Sequence, residues 1–247
     1  MTVTTDAELY RRGAVTLLDS WEEYCRGSDG ALLERSPGVG SAVFPDEPER
    51  GVYNNALLER DRGPAERDDA LNLMEAAYAA AGVRHFAAWV HESDVAMRVD
   101  LERRGYKFDT STRAMGMVLD DIRLPRPEME LAELSWSDYL RTFELPAGLL
   151  SRCDHPSLRV LVAQLDGEPV ATAMAFDSRG DCGIYNVATL AHARRRGLGT
   201  ALIALQMHDA IMRGCRTASV QSTEMAERVY TAVGFRDLGR FLEYVPG

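Results

Sequence analysis

Apolar and polar positions alternate along the chain in a way that reads as a string of short helices and strands. Ala7 to Arg26 reads as a helix, stopped by Gly27-Ser28-Asp29-Gly30. Ala31 to Glu34 and Gly40 to Phe44 read as two strands joined by the turn Ser36-Pro37-Gly38, and Val52 to Leu58 as a third. A charged loop leads into a helix from Pro64, a residue suited to a first turn, to Ala81, with Gly82 as its stop. A strand over Phe86 to Val90, a helix over Ser93 to Arg104 ended by Gly105-Tyr106, and a strand over Thr112 to Leu119 follow.

Asp120 to Pro127 carries two prolines, which resist both helix and central strand, and is the expected linker. Beyond it the pattern predicts a strand over Met129 to Leu134 and a helical region from Trp136 to about Ser151. A hairpin of Leu158 to Leu165 and Val170 to Phe176 is expected around Asp166-Gly167-Glu168-Pro169. The turn Ser178-Arg179-Gly180-Asp181 then leads to a strand over Ile184 to Leu190, a helix ending near Arg213 and a short strand over Ala218 to Gln221. The halves echo each other. Gly51 to Leu58 shares Gly, Tyr, Asn, Ala and Leu with Gly183 to Leu190, and Leu101 to Tyr106 aligns with Tyr230 to Phe235. The two landmarks lie 54 residues apart in one half and 51 in the other, as in an internal repeat.

Composition narrows the class. A chain of 247 residues suits two domains, and 46% hydrophobic with 27% charged residues describes a globular protein. No apolar run is long enough to span a membrane and the N-terminus has no signal core, so no membrane partner and a cytoplasmic location are expected. The net charge of −10 argues against nucleic acid as a partner. Residues 1–125 carry 15 basic and 23 acidic side chains, residues 126–247 carry 13 and 15, and Lys107 is the only lysine. Cys25, Cys153, Cys182 and Cys215 are too scattered for a zinc site or a disulfide framework and read as buried small hydrophobes. No metal is expected.

Candidate chemistry concentrates in His192-Ala193-Arg194-Arg195-Arg196-Gly197-Leu198-Gly199-Thr200, between a strand and a helix. The free N–H groups of a helix start, two glycines that allow close approach, and forked guanidinium donors make a cradle for phosphate. The Gly-Lys-Ser/Thr ending of nucleotide hydrolases is absent, as is Gly-x-Gly-x-x-Gly.

Arg194-x-x-Gly197-x-Gly199 resembles the pyrophosphate-binding signature of the GCN5-related N-acetyltransferases. Thr223-x-x-Ala226-x-x-x-Tyr230-x-x-x-Gly234-Phe235 is similar to that family's second signature. The resemblance covers residues 183–245. It implies two α/β domains, 1–122 and 128–247, each with a mixed, largely antiparallel sheet flanked by helices, the first a degenerate copy. It implies acetyl-CoA as cosubstrate, with Val187, Ala188 and Thr189 along the pantetheine arm and Arg194, Arg195, Arg196, Gly197, Leu198, Gly199 and Thr200 at the pyrophosphate. Thr223 stands where the family more often has asparagine. Tyr230 would be the general acid for the leaving thiolate.

The expected function is transfer of an acetyl group to an amine of a small molecule or protein; the alternative is a non-catalytic acyl-CoA-binding or regulatory module. Some relatives place a basic glutamate where this chain has Gly183, so Asp181, Tyr185, His155, Glu243 or a water chain stand open as the base, with His192 read as solvated. At the first-half position matching the cradle, Asp61 to Asp69 brings carboxylates and Pro64, and Leu101 stands opposite Tyr230. One acetyl-CoA per chain is expected.

Overall fold

The computed structural model describes residues 4–48, 53–145, 150, 152–153 and 156–247. Helix α1 (Asp6–Arg26) opens the chain, followed by β1 (Leu32–Ser36), β2 (Val39–Val43), β3 (Asn55–Leu58), α2 (Pro64–Ala80), β4 (Ala87–His91), α3 (Val95–Arg103) and β5 (Lys107–Val118). Next come α4 (Trp136–Thr142), β6 (Leu158–Leu165), β7 (Glu168–Ser178), β8 (Asp181–Thr189), α5 (Leu198–Met212), β9 (Thr217–Ser222), α6 (Glu227–Val233) and β10 (Arg236–Val245). The series β-α-β-α-β occurs twice, as β3-α2-β4-α3-β5 and β8-α5-β9-α6-β10. The mixed sheet is flanked by these helices.

The chain divides into two compact units. One, here the cradle unit, comprises Met1–Ser20 and Arg113–Leu238; the other, the companion unit, comprises Trp21–Thr112 and Gly239–Gly247. The sequence reading divides the chain at residues 122 and 128, whereas the units interleave. The reason lies in two long strands. β5 begins in the companion unit and ends in the cradle unit, and β10 does the reverse. β10 has no counterpart among the expected elements, and β5 is longer than the expected Thr112 to Leu119.

In the companion unit β1, β2 and β3 pair antiparallel, β3 and β4 pair parallel, and β10 pairs antiparallel with β4 from Phe241↔His91 to Tyr244↔Ala88. Its core joins Leu71, Met74 and Tyr78 of α2 and Met97 and Leu101 of α3 to Leu58, Val90 and Tyr244 of the sheet. In the cradle unit β6, β7 and β8 pair antiparallel, β8 and β9 parallel, and β5 antiparallel with β9 from Arg113↔Ser222 to Val118↔Thr217. Ile203 and Met207 of α5 and Tyr230 and Val233 of α6 pack there on Ile184, Val220, Met115 and Met117. Each such buried side chain contributes about 1.5–3 kcal/mol by leaving water. In both units a strand from the other half of the sequence completes the pairing.

Local expectations fare unevenly. Met129 to Leu134 forms no strand; it makes one bridge, Leu131↔Ala163, next to a register shift in β6 that breaks the ladder. α4 stops at Thr142, short of Ser151, because the chain turns through Glu144 at φ 54°; residues 146–149 and 151 lie outside the described residues. All four cysteines are buried free thiols. Among the described residues no helix is long and apolar enough to cross a membrane.

Gly13 of α1 lies against β9, where an added Cβ would stand 2.8 Å from Ser219 Cβ. Gly13→Ala should therefore destabilise the protein by about 1–2 kcal/mol, reversing the gain of about 1 kcal/mol that alanine gives an exposed helix. Chemical denaturation of the two proteins checks the sign.

Candidate functional site: the parted strands and the turn after them

β8 carries the site because it leaves its neighbour. It pairs with β9 only from Asp181↔Thr217 to Ile184↔Val220, while on its other side it follows β7 to Thr189. The register against β7 shifts between Thr172 and Met174, and opposite that shift Asn186 sits at φ 48°, a left-handed conformation that asparagine tolerates. The bulge turns β8 away, so Val187, Ala188 and Thr189 have no β9 partner. Val187 packs on the Tyr230–Ile184 cluster and also on the smaller cluster containing Leu198 and Leu202. Ala188 is exposed and Thr189 half-buried.

After a short turn at Ala191–Ala193 the chain enters α5 through Arg195 at φ 67° and Gly197 at φ 79°, ψ 0°. No side chain caps α5, and its first bond runs from Ala201 N–H to Gly197 O. The N–H groups of Leu198, Gly199 and Thr200 are therefore available at the positive end of a 15-residue helix. Arg194 Nε donates to Thr189 O at 3.1 Å, tying the turn to the end of β8. Arg195, Arg196 and His192 are exposed. A Cβ at Gly199 would meet only Thr189 Oγ1 at 3.8 Å and Val187 Cγ1 at 3.9 Å, so helix start and parted strand face each other across a narrow gap.

Tyr230 is 4% exposed, with its ring edge-on to Phe235 at 5.5 Å. Burial pushes its pKa well up, so the phenol holds its proton at neutral pH. Thr223 is exposed and precedes a short turn without capping it through its side chain. Among the described residues no group of three or more His, Cys, Asp or Glu could hold a metal.

The candidate bases separate. His155 lies outside the described residues. The Tyr185 ring folds over Gly183, so a side chain there would have to displace it: a Cβ would be 2.5 Å from Tyr185 Oη. The carboxylate of Asp181 is buried and accepts from Thr217 Oγ1 and Ser219 Oγ, each at 2.6 Å. Glu243 belongs to the companion unit, opposite Trp89 in the β4–β10 ladder. The fold of Tyr185 over Gly183 and the bulge at Asn186 escape the sequence reading; an asparagine inside a strand pattern is the one signal for the latter.

The matched positions of the companion unit differ in every functional respect. Asn55, Ala56 and Leu57 stay paired with Ala87, Ala88 and Trp89, so the strands do not part. Gly63 N–H is taken by Glu66 Oε2 at 2.8 Å and Pro64 offers no donor. Leu101 is fully buried where Tyr230 stands. The turn that follows is nevertheless shared: Tyr106 N–H donates to Leu101 O and Phe235 N–H to Tyr230 O, both at 3.1 Å.

Residues 128–235 match the family model described as the acetyltransferase (GNAT) family, a segment that contains the parted strand, the turn and Tyr230. Similar solved structures include a GCN5-related N-acetyltransferase from Kribbella flavida, with TM-score 0.70 at 17% identity over 95% of each chain. Another, from Sphaerobacter thermophilus, has TM-score 0.61 at 18% identity over 99% of this chain and 93% of that one. A functionally unknown conserved protein from Staphylococcus epidermidis has TM-score 0.62 at 12% identity over 88% and 94%. None of the curated proteins compared matches the sequence. The fold is that of the GCN5-related N-acetyltransferases.

Burial and the neighbouring Asp109 push Glu243 up to about 7 from an ordinary 4.5. Folding thus favours its protonated form, and the stabilisation present below pH 4.5 is lost as pH rises through 7. Glu243→Gln should raise stability at pH 8 by about 1–3 kcal/mol and leave it unchanged at pH 4. Urea melts at the two pH values test the difference.

Proposed function

We propose that this protein is an acetyl-CoA-dependent N-acetyltransferase with a single active site, in the cradle unit, acting on an amine of a small molecule or protein. The observation that carries the reading is the parting of β8 from β9 directly before an uncapped, glycine-entered helix. The residues present fit acetyl-CoA. Val187 to Thr189 would lie along its pantetheine arm, and the N–H groups of Leu198, Gly199 and Thr200 with Arg195 and Arg196 would meet its pyrophosphate. When bound it supplies an activated acetyl thioester, so the chain's task is to position the amine and manage protons. Tyr230, kept protonated by burial, would donate to the leaving sulfur. The companion half is read as a degenerate copy, supported by its repeated element order, its shared helix-ending turn and its closed strands. The four free thiols accord with a reducing compartment, and we place the enzyme in the cytoplasm.

The lack of a side chain at Gly183 favours a second reading, an acyl-CoA-binding module without transfer. Release of CoA thiol from acetyl-CoA in the presence of a panel of amines separates the two.

Calorimetric titration should find one acetyl-CoA per chain. A hundredfold excess over Kd should stabilise the wild type by about 2.7 kcal/mol. Gly199→Val has room to fold but fills the gap, and should lose both the heat of binding and the thermal shift; unchanged binding in that variant would remove acetyl-CoA from this turn. Tyr230→Phe should bind acetyl-CoA as the wild type does while turnover falls by roughly 10² to 10⁴. Unaltered turnover would make Tyr230 a packing residue.

A further inference from the structure

The face of the cradle-unit sheet beneath α1 is polar where an apolar interface is the rule. Alternation along β8 sends Cys182 and Ile184 into the main core and leaves Asp181 on the opposite face. Along β9, Ala218 and Val220 join that core, while Thr217 and Ser219 donate to the Asp181 carboxylate at 2.6 Å each. Thr16 of α1 stands beside the same carboxylate, but its Oγ1 completes no hydrogen bond. Thr16, Asp181, Thr217 and Ser219 are each at most 2% exposed. A buried hydroxyl without a partner is rare and costly. This seam of hydroxyls around one carboxylate does not end sealed.

At the start of β8 it meets a cavity of about 190 Å³, in which the buried Thr16, Ser178 and Asp181 form walls together with the more exposed Arg11, Arg12 and Arg179. The guanidiniums are not used up by the protein. Arg11 and Arg12 share one carboxylate, Glu8, and among the described residues Arg12 reaches it through Nε alone, at 2.8 Å. Arg179 lies 3.6 Å from Asp19, whose carboxylate already accepts from Ser178 Oγ. Each guanidinium carries five N–H donors, so most remain to be met. The place of Arg179 is itself against preference. Ser178 pairs with Asp181 across a two-residue turn in which Arg179 has φ 48° and Gly180 φ 79°, a turn that favours asparagine or glycine at its first central position. An arginine kept there brings its charge to the cavity.

We propose that this cavity binds a small free α-amino acid, its carboxylate on the guanidiniums of Arg12 and Arg179 and its ammonium on Asp181 and Thr16 Oγ1. Neither a plain anion nor a plain cation suits the walls, because Asp181 repels the first and three arginines repel the second. A ligand with both charges on one carbon matches them. Burial disfavours the charged form of Asp181, and an ammonium beside it offsets that while giving the Thr16 hydroxyl the donor it lacks. The volume and the polar walls, with Val15 as their apolar part, call for a small side chain. The site is separate from acetyl transfer and does not rest on that reading, since it lies at Asp181, the end of β8 away from Val187 to Thr189. A molecule held there would join α1 to the β7–β8 turn and so stabilise the folded chain.

Calorimetric titration of the full chain with glycine, alanine, serine, threonine and valine tests the site. At least one of them should bind at one per chain and raise the melting temperature. Its α-amide, which lacks the carboxylate, and its N-acetyl form, which lacks the ammonium, should each bind at least about tenfold more weakly. Two variants locate the binding. Arg179→Gly suits the left-handed turn and removes only the guanidinium, and Arg12→Gln leaves Glu8 its pair with Arg11. Each should lose at least about tenfold in affinity for the amino acid while its circular dichroism stays that of the wild type. No binding by any of the five overturns the proposal, as does wild-type affinity in either variant. Equal affinity for the amide, the N-acetyl form or inorganic phosphate overturns it too, since the cavity would then read one charge and not the pair.

Discussion

The site depends on hydrogen bonds that are not made. A parallel pair of strands normally satisfies its backbone along its whole length, yet β8 abandons β9 after Ile184↔Val220. What makes this tolerable is a bulge against β7 and an asparagine in a left-handed conformation, which keep the β7 side paired to Thr189 while the β9 side opens. Everything else at the site follows from that opening: the position of the turn, the approach of α5 to Val187 and Thr189, and the packing of Tyr230 on Ile184 and Val187.

The companion unit shows the same plan without the opening. β3 and β4 remain paired through Leu57↔Trp89, and Glu66 satisfies the helix-start N–H that an anion would otherwise meet. A carboxylate in that place also repels phosphate. Leu101 in place of Tyr230 completes an apolar core. Closing the strands and capping the helix both favour stability, and the parted strands and uncapped helix start of the cradle unit give up both.

A similar compromise marks the face beneath α1. Packing Leu or Val against β8 and β9 there would gain about 1.5–3 kcal/mol per side chain, whereas buried hydroxyls at best break even. Gly13, with no Cβ, brings the helix close to Ser219 instead. A seam built this way sacrifices stability for polarity in the unit that carries the parted strands.

Most helices and strands are legible because their signals are local: Pro64 begins α2, Gly82 ends it, and Asp166-Gly167 turns β6 into β7. The strand-turn-helix order around Gly197 and the place of Tyr230 four residues before the end of its helix are legible for the same reason, since spacing within one strand, turn and helix is written in consecutive residues. Pairing is not. Tyr53-Asn54 and Tyr185-Asn186 are the same dipeptide at matched positions. Asn54 is buried, accepting from Phe44 N–H and donating to Glu47 O, while Asn186 makes the bulge. Likewise nothing local in Lys107 to Val118 or Arg236 to Val245 says that each strand completes the other half's pairing. The sequence by itself determined most of the helices and strands, though neither β10 nor the missing strand at Met129 to Leu134, and it singled out the glycine-entered turn before α5. Only the tertiary structure decided which strands meet, where they part and what Tyr185 covers, because those outcomes are set by neighbours distant in the chain and local residues carry no record of them.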